Sequence, residues 1–178
     1  MRDAFHDDLD AIGQSLVEMS ELVSKAMLRA TKAILEADLA LAEEVISEDE
    51  RIDSLHHDLD SRTLNLMARQ QPVAGDLRTL VTSIRMSSDL ERMGDLAHHI
   101  AKLARMRYPA CAVPPELVFI IQEMGDVAQK IINKTTGIII NEASAHGVAT
   151  CFKAGLFVSV HHLGSLCCFI VIATPFFT

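Results

Sequence analysis

Tryptophan is absent from this 178-residue chain, tyrosine occurs once, and Phe, Trp and Tyr together make up 4% of it. Sheets draw on aromatic and β-branched residues, so this scarcity, beside plentiful Leu, Ala, Met, Glu and Asp, argues against a β fold and for helices. Basic residues are also short: 16 Lys and Arg face 24 Asp and Glu, a net charge of -8. A nucleic-acid binder needs a basic surface, so that class is excluded, whereas divalent cations and basic partners suit an acidic chain. The four cysteines, Cys111, Cys151, Cys167 and Cys168, have no CxxC spacing. Neither a zinc knuckle nor a disulfide framework is signalled, and the thiols read as structural or incidental. No apolar segment or cleavage site follows Met1, the start expected of a cytoplasmic protein. Apolar residues make up 49% of the chain, enough for one or two small cores.

Leu9, Ile12, Leu16, Met19, Val23, Met27, Ala30 and Ile34 recur at steps of three and four, the stripe of an amphipathic helix over 4–36. Asp38 can cap a second helix reaching about Gln71, with Leu41, Val45, Ile52, Leu55, Leu59 and Leu66 turned inward. Pro72 and Gly75 punctuate the chain, and Asp76 can cap a third helix. That helix opens with Leu77, Leu80, Val81 and Ile84 and runs to about Arg107. Three helices of about 30 residues, each about 45 Å long and joined by short breaks, describe an antiparallel three-helix bundle.

Pro109, Pro114 and Pro115 mark a linker. Beyond it, Glu123-Met124-Gly125-Asp126-Val127-Ala128-Gln129-Lys130 echoes Glu18-Met19-Ser20-Glu21-Leu22-Val23-Ser24-Lys25, 105 residues earlier. The first helix of a second bundle is expected there. The composition then changes near Ala143: only Lys153 is charged among the last 36 residues, which also hold five of the seven Phe. The echo does not continue into that tail. Its uncharged stretch 154–178 reads as a membrane span, as an apolar helix or hairpin packed on the bundle, or as a tail foreign to the repeat, such as a change of reading frame near 140–148 leaves. The fold expected is therefore all-α: a three-helix bundle over 1–108, a linker over 109–115, the first helix of an incomplete second bundle over 116–142, and an apolar tail over 143–178. With its partner helices missing, the fourth helix should expose apolar surface and invite tail docking or self-association.

Two acidic pairs carry the chemistry. Asp49 and Asp53 on the second helix, and Glu91 and Asp95 on the third, are each spaced i, i+4, which sets both carboxylates on one helical face about 6 Å apart. Arg51 and Met93, the adjacent midpoints, stand 21 residues before and after Pro72, so an antiparallel hairpin brings the pairs level. Glu91 and Asp95 also extend the line of Leu77, Val81, Ile84 and Ser88 on the helical wheel. Four carboxylates at one height suit Mg²⁺, Mn²⁺ or iron, with His98, one turn past Asp95, as a nitrogen donor. Otherwise these residues would solvate an exposed face and pair with Arg51, Arg92 or Lys102.

The segment Asp89-Leu90-Glu91-Arg92-Met93-Gly94-Asp95 resembles the signature of the PhoU family of phosphate-transport accessory proteins. Gln70 to Arg78 is similar to that family's hairpin, and Asp49 to Asp53 to its earlier acidic motif; together they cover residues 1 to about 142. The resemblance implies two similar three-helix bundles, each with two (E/D)xxxD motifs that hold multinuclear metal clusters. Asp49, Asp53, Glu91 and Asp95 match the first bundle's motifs, with iron, manganese, magnesium or zinc as the metal. It further implies a homodimeric cytoplasmic protein, peripheral to the inner face of the membrane. Such a protein works with the phosphate ABC transporter and the phosphate sensor histidine kinase, tempering phosphate uptake and holding the starvation response off. Leu96 and His99 stand where the family often has His and Asn, and the second-bundle counterparts of Glu91 and Asp95 would fall past Thr178.

Other readings are available. Asp53-x-x-His56 and Asp95-x-x-His98 approach the ExxH pattern of di-iron carboxylate proteins, although Asp replaces Glu and four helices are needed. A metal-independent helical adaptor would use the same acidic faces for partner arginines. His56-His57 and His98-His99 read otherwise as helix-surface residues. No nucleophile with an oriented base and no phosphate-binding glycine loop is evident, so the chain reads as a non-enzyme. Arg78 and Arg85 are candidate contacts for an acidic partner or phosphate.

Overall fold

A computed structural model describes residues 2–141. The described residues are helical throughout apart from turns: α1 (Arg2–Glu36), α2 (Leu39–Gln70), α3 (Ala74–Arg107), a single 3-10 turn (Pro115–Leu117) and α4 (Val118–Asn141). The apolar tail expected over 143–178 lies outside the described residues.

Helices α1, α2 and α3 pack on one another as the expected antiparallel bundle. The whole α1 stripe is buried, from Leu9 to Ile34, against Val45, Ile52 and Leu59 of α2 and Leu80, Met86, Leu90 and Ala97 of α3 in one core. Cross-helix ion pairs follow the antiparallel course: Glu18 meets Arg51 at 2.7 Å, and Arg29 meets both oxygens of Glu48 at 2.9 and 2.8 Å. Exposed pairs of this kind contribute about 0–1 kcal/mol, so the apolar core holds the helices together.

The α1–α2 break is short. Ala37 takes a left-handed φ of 53°, and Asp38 then caps α2 by accepting a hydrogen bond from the Leu41 amide at 3.1 Å. On α2, Val45, Ile52, Leu59 and Leu66 are buried as expected, but Leu41 and Leu55 are only half-buried, and Ala42 and Thr63 share the inward face. At the far end Gln71 is also left-handed, its amide closing on Met67 O at 3.2 Å.

Helix α3 departs from the expectation in two ways. It begins at Ala74 after Val73, which makes no side-chain cap, so Asp76 lies in the first turn and favours it through the helix dipole instead of capping it. Its buried face is also not the early apolar line: Leu77 and Val81 are exposed and Ile84 is half-buried, whereas Thr79, Thr82, Ser83 and Ser87 are buried. These small hydroxyl residues can face the core because Thr79, Thr82 and Ser83 return their protons to carbonyls four residues back, at 3.2, 2.8 and 3.0 Å.

Helix α4 packs on α1 and, apart from the 3-10 turn before it, on no other described element. The α1–α4 seam is close and mixes buried Ala128, Ile132 and Ile139 with polar contacts. Ser24 donates to Asn133 Oδ1 at 3.1 Å and accepts from Gln129 Nε2, while the hydroxyls of Ser20 and Thr136 are bonded at 3.0 Å. A Cβ on Gly125 would lie 2.6 Å from Thr31 Cγ2, so only glycine permits this approach. Adding the 105-residue offset converts Ser20 to Gly125 and Thr31 to Thr136, so these two contacts are quasi-equivalent. Ser24 and Gln129, themselves 105 apart, sit on the quasi-two-fold axis between them. Among the described residues no helix is long and apolar enough to cross a membrane.

Candidate metal centre

The register about Pro72 brings α2 and α3 together at the level read from the sequence. Asp49 of α2 and Asp95 and His98 of α3 each offer a ligand atom, and the three atoms all lie within 4.8 Å of one another. Asp49 is 8% exposed, a burial unusual for a carboxylate without a charged partner. Its Oδ2 is in direct contact with His98 Nδ1, and His98 Nε2 is buried with no hydrogen-bond partner among the described residues.

Gly94 permits this closeness. A Cβ there would meet Ile52 Cδ1 at 3.0 Å and Cγ2 at 3.2 Å, and would stand 3.7 Å from Asp49 Oδ1. The bare backbone of α3 therefore rests on Ile52 one turn from Asp49, and the glycine in Met93-Gly94-Asp95 is the sequence signal for it.

Asp53 and Glu91 flank the three-residue group without joining it at ligand distance. Partial burial, then the charges of Asp49 and Asp95, push the Asp53 carboxyl above its usual range, while His56 and His98 pull the other way. Burial, then the Asp95 charge, raises Glu91, with His56 opposing and Asp53 and Asp49 adding. The four carboxylates thus repel one another at short range. Among the described residues none is paired with Lys or Arg, and Arg51 is engaged with Glu18. A cation is what this cluster is short of. The mixed oxygen and nitrogen donor set suits Mn²⁺, iron or Zn²⁺ better than a soft thiophilic ion.

His56 is more than the surface residue that the sequence suggested. It is half-buried, with Nδ1 2.6 Å from Ser87 Oγ and Nε2 3.8 Å from Asp60 Oδ2, and it acts electrostatically on both Asp53 and Glu91. The signal available was register, since His56 and Ser87 stand almost equally far from Pro72. A Ser–His–Asp sequence in space invites a catalytic reading, but Ser87 is fully buried and no substrate reaches its hydroxyl. Arg78 and Arg85 are exposed on α3, nearer the turn, with Arg78 about 26 Å from Asp95 along the helix axis. Because α4 packs on α1, the site is a two-helix groove and not the interior of a four-helix di-iron cage.

The PhoU domain model matches residues 16–104. Among named proteins, the phosphate-specific transport system accessory protein PhoU homolog 2 of Mycobacterium tuberculosis is 45% identical over 141 residues, 79% of this chain and 66% of its own. PhoU homolog 1 of Mycobacterium leprae is 41% identical over 141 residues, with 64% of its length covered, and the Aquifex aeolicus homolog is 35% identical over 127. The chain thus spans somewhat less than two thirds of the length of these relatives. The crystal structure of PhoU from Pseudomonas aeruginosa superposes with a TM-score of 0.73 at 21% identity, covering 98% of this chain and 100% of that one, a likeness of fold.

Proposed function

The chain belongs to the PhoU family, and from that premise we propose that it is a metal-binding regulator of phosphate transport and phosphate-starvation signalling. The observation that carries the metal-binding part is the convergence of Asp49, Asp95 and His98 within 4.8 Å at a buried point between α2 and α3. In this reading Asp53 and Glu91 extend the site along the groove. A bound divalent or transition-metal ion would supply positive charge there. Asp49 would anchor it from α2, and Asp95 and His98 from α3, tying the two helices at mid-length.

The relatives are named as phosphate-specific transport system accessory proteins, an accessory role rather than a catalytic one. We extend it to this chain as follows. A cytoplasmic homodimer, held at the inner face of the membrane by its partners, engages the phosphate ABC transporter and the sensor histidine kinase when phosphate is ample. It limits uptake and keeps the starvation response off. Residues 1–108 are the site-bearing unit, 109–115 the linker and 116–142 the first helix of a second repeat. Arg78 and Arg85, exposed on α3, are assigned to partner or phosphate contact. A metal-independent adaptor would use the same surface without needing Asp49 or His98.

The test is a phosphate-starvation reporter in cells lacking their own regulator of this family. The parent chain should silence the reporter at ample phosphate, and Asp49→Ala/His98→Ala should leave it on at equal protein abundance. Equal silencing by both would favour the metal-independent adaptor.

A further inference from the structure

The end of the α2–α3 hairpin carries apolar side chains that the bundle does not bury. Leu64 on α2, Val73 just before α3, and Leu77 and Val81 on α3 are 58%, 74%, 42% and 37% exposed, and Ile84 is half-buried. These side chains share one side. Asp53 and Glu91, which act on each other electrostatically, fix the outer side of the hairpin; Leu64 continues the line of Asp53 and Asp60 along α2, and Leu77, Val81 and Ile84 continue that of Glu91 along α3. Leu64 and Val81 stand almost equally far from Pro72, so the two lines meet level. The core beside them is filled by Thr79, Thr82 and Ser83 instead. Large apolar side chains gathered on one exposed side of a packed bundle mark an interaction surface.

We propose that this face docks one amphipathic helix of a partner protein, apolar along the groove and acidic along the flank that meets Arg78 and Arg85. The proposal rests on the reading of those arginines as partner contacts and not on the metal centre. Charge selects the occupant. Leu77, Val81, Ile84 and Ser88 follow one another at steps of four, three and four, and Arg78 and Arg85 each stand one residue past a member of that line. This is the pattern by which one helix presents an apolar seam and a charged flank to another. The two arginines are seven residues apart, about 10.5 Å along the axis, so carboxylates two turns apart on the incoming helix would meet both. On the α2 side Ser61, Asn65 and Ala68 are exposed and uncharged, so the arginines set the polarity. Past Ile84 the groove turns acidic at Asp60, Asp53 and Glu91, which confines an acidic-flanked helix to the hairpin end. A lipid surface fits less well, because a chain of net charge -8 is repelled by anionic headgroups.

The probe is a fluorescein-labelled helical peptide of about 20 residues, with Leu at three- and four-residue steps and Glu along one flank, beside a twin flanked by Lys. Anisotropy is read on the full chain in chelator, so the outcome does not depend on the metal centre. The Glu peptide should bind the parent and the Lys peptide should not. Leu77→Asp should weaken binding about 30-fold, the scale of losing one anchoring side chain, and because Leu77 is exposed the variant should melt as the parent does. Arg78→Glu/Arg85→Glu should reverse the preference in favour of the Lys peptide. Binding of neither peptide, or equal binding of both, would overturn the proposal. So would binding to phosphatidylglycerol vesicles that is lost in Leu77→Asp, which gives the face to a membrane, or a dimer of the parent that Leu77→Asp dissociates, which gives it to a second copy. Failure here beside intact silencing of the starvation reporter would overturn the docking face alone and leave the proposed function standing.

Discussion

Gly94→Ala separates what α3 needs as a helix from what the site needs as a groove. Alanine is better than glycine in a helix interior by about 1 kcal/mol, so the helix itself would gain. The new methyl, however, would lie 3.0 Å from Ile52 Cδ1, and Ile52 is buried. Overpacking of this kind costs about 1–3 kcal/mol. The two effects leave a net loss of about 1 kcal/mol, a fall in melting temperature of about 2–4 °C. The site is affected more, because relief of the clash moves α3 off α2 by a few tenths of an ångström beside Asp49, and metal-ligand distances tolerate only about 0.2 Å. We expect metal affinity to fall about 10–100-fold, the scale of disturbing a ligand's support. Titration calorimetry with Mn²⁺ or Zn²⁺ against a competing chelator reads the affinity, and calorimetric melting of the metal-free protein reads the stability. Gly13→Ala is the control: nothing lies within 4 Å of its Cβ position, so it should raise stability by about 1 kcal/mol and leave affinity alone. Affinity for Gly94→Ala within twofold of the parent would refute the reasoning.

Three further outcomes are expected. Ala37→Gly should stabilise by about 1 kcal/mol, because glycine relieves the left-handed φ of 53° between α1 and α2, and the denaturant midpoint should rise with an unchanged slope. In metal-free protein the folded state holds protons on Asp53 and Glu91 more tightly than the unfolded chain does. Their contribution is therefore fully present below the ordinary carboxylate range and lost as pH rises through and just above it, so the melting advantage of Asp53→Asn over the parent should grow with pH across that window. Gly125→Ala should loosen α4 from α1, since its Cβ would lie 2.6 Å from Thr31 Cγ2; hydrogen exchange should speed up in α4 while the α1–α3 core stays protected.

Much of the architecture was legible because it rests on patterns that physics ties closely to sequence. The α1 stripe, the Asp38 cap and the equal spacing of the acidic pairs about Pro72 all reappear in space, the last as the meeting of Asp49 with Asp95 and His98. Helix α3 was misread because hydropathy ranks Leu77 and Val81 above Thr79 and Ser83. Hydropathy cannot see that a helical Thr or Ser satisfies its own hydroxyl on the preceding turn and can then be buried. The part played by His56 was missed for a related reason: its importance comes from Ser87 and Asp60, which only the packed hairpin brings near. The α1–α4 seam, with its polar contacts beside buried Ala128, Ile132 and Ile139, was invisible as a seam, although the 105-residue echo lies along it.

The most direct test is metal content with thermal melting, comparing the purified chain with Asp95→Asn/His98→Gln, with and without chelator. At metal concentrations about 100-fold above the dissociation constant, binding adds about 2.7 kcal/mol, or about 5–11 °C for a chain of this size. The parent should carry metal and lose that increment on chelation, and the variant should carry none and melt at one temperature throughout. A metal-free parent indifferent to chelator and added metal, or a variant that binds as well as the parent, would contradict the assignment of Asp49, Asp95 and His98 as a metal centre.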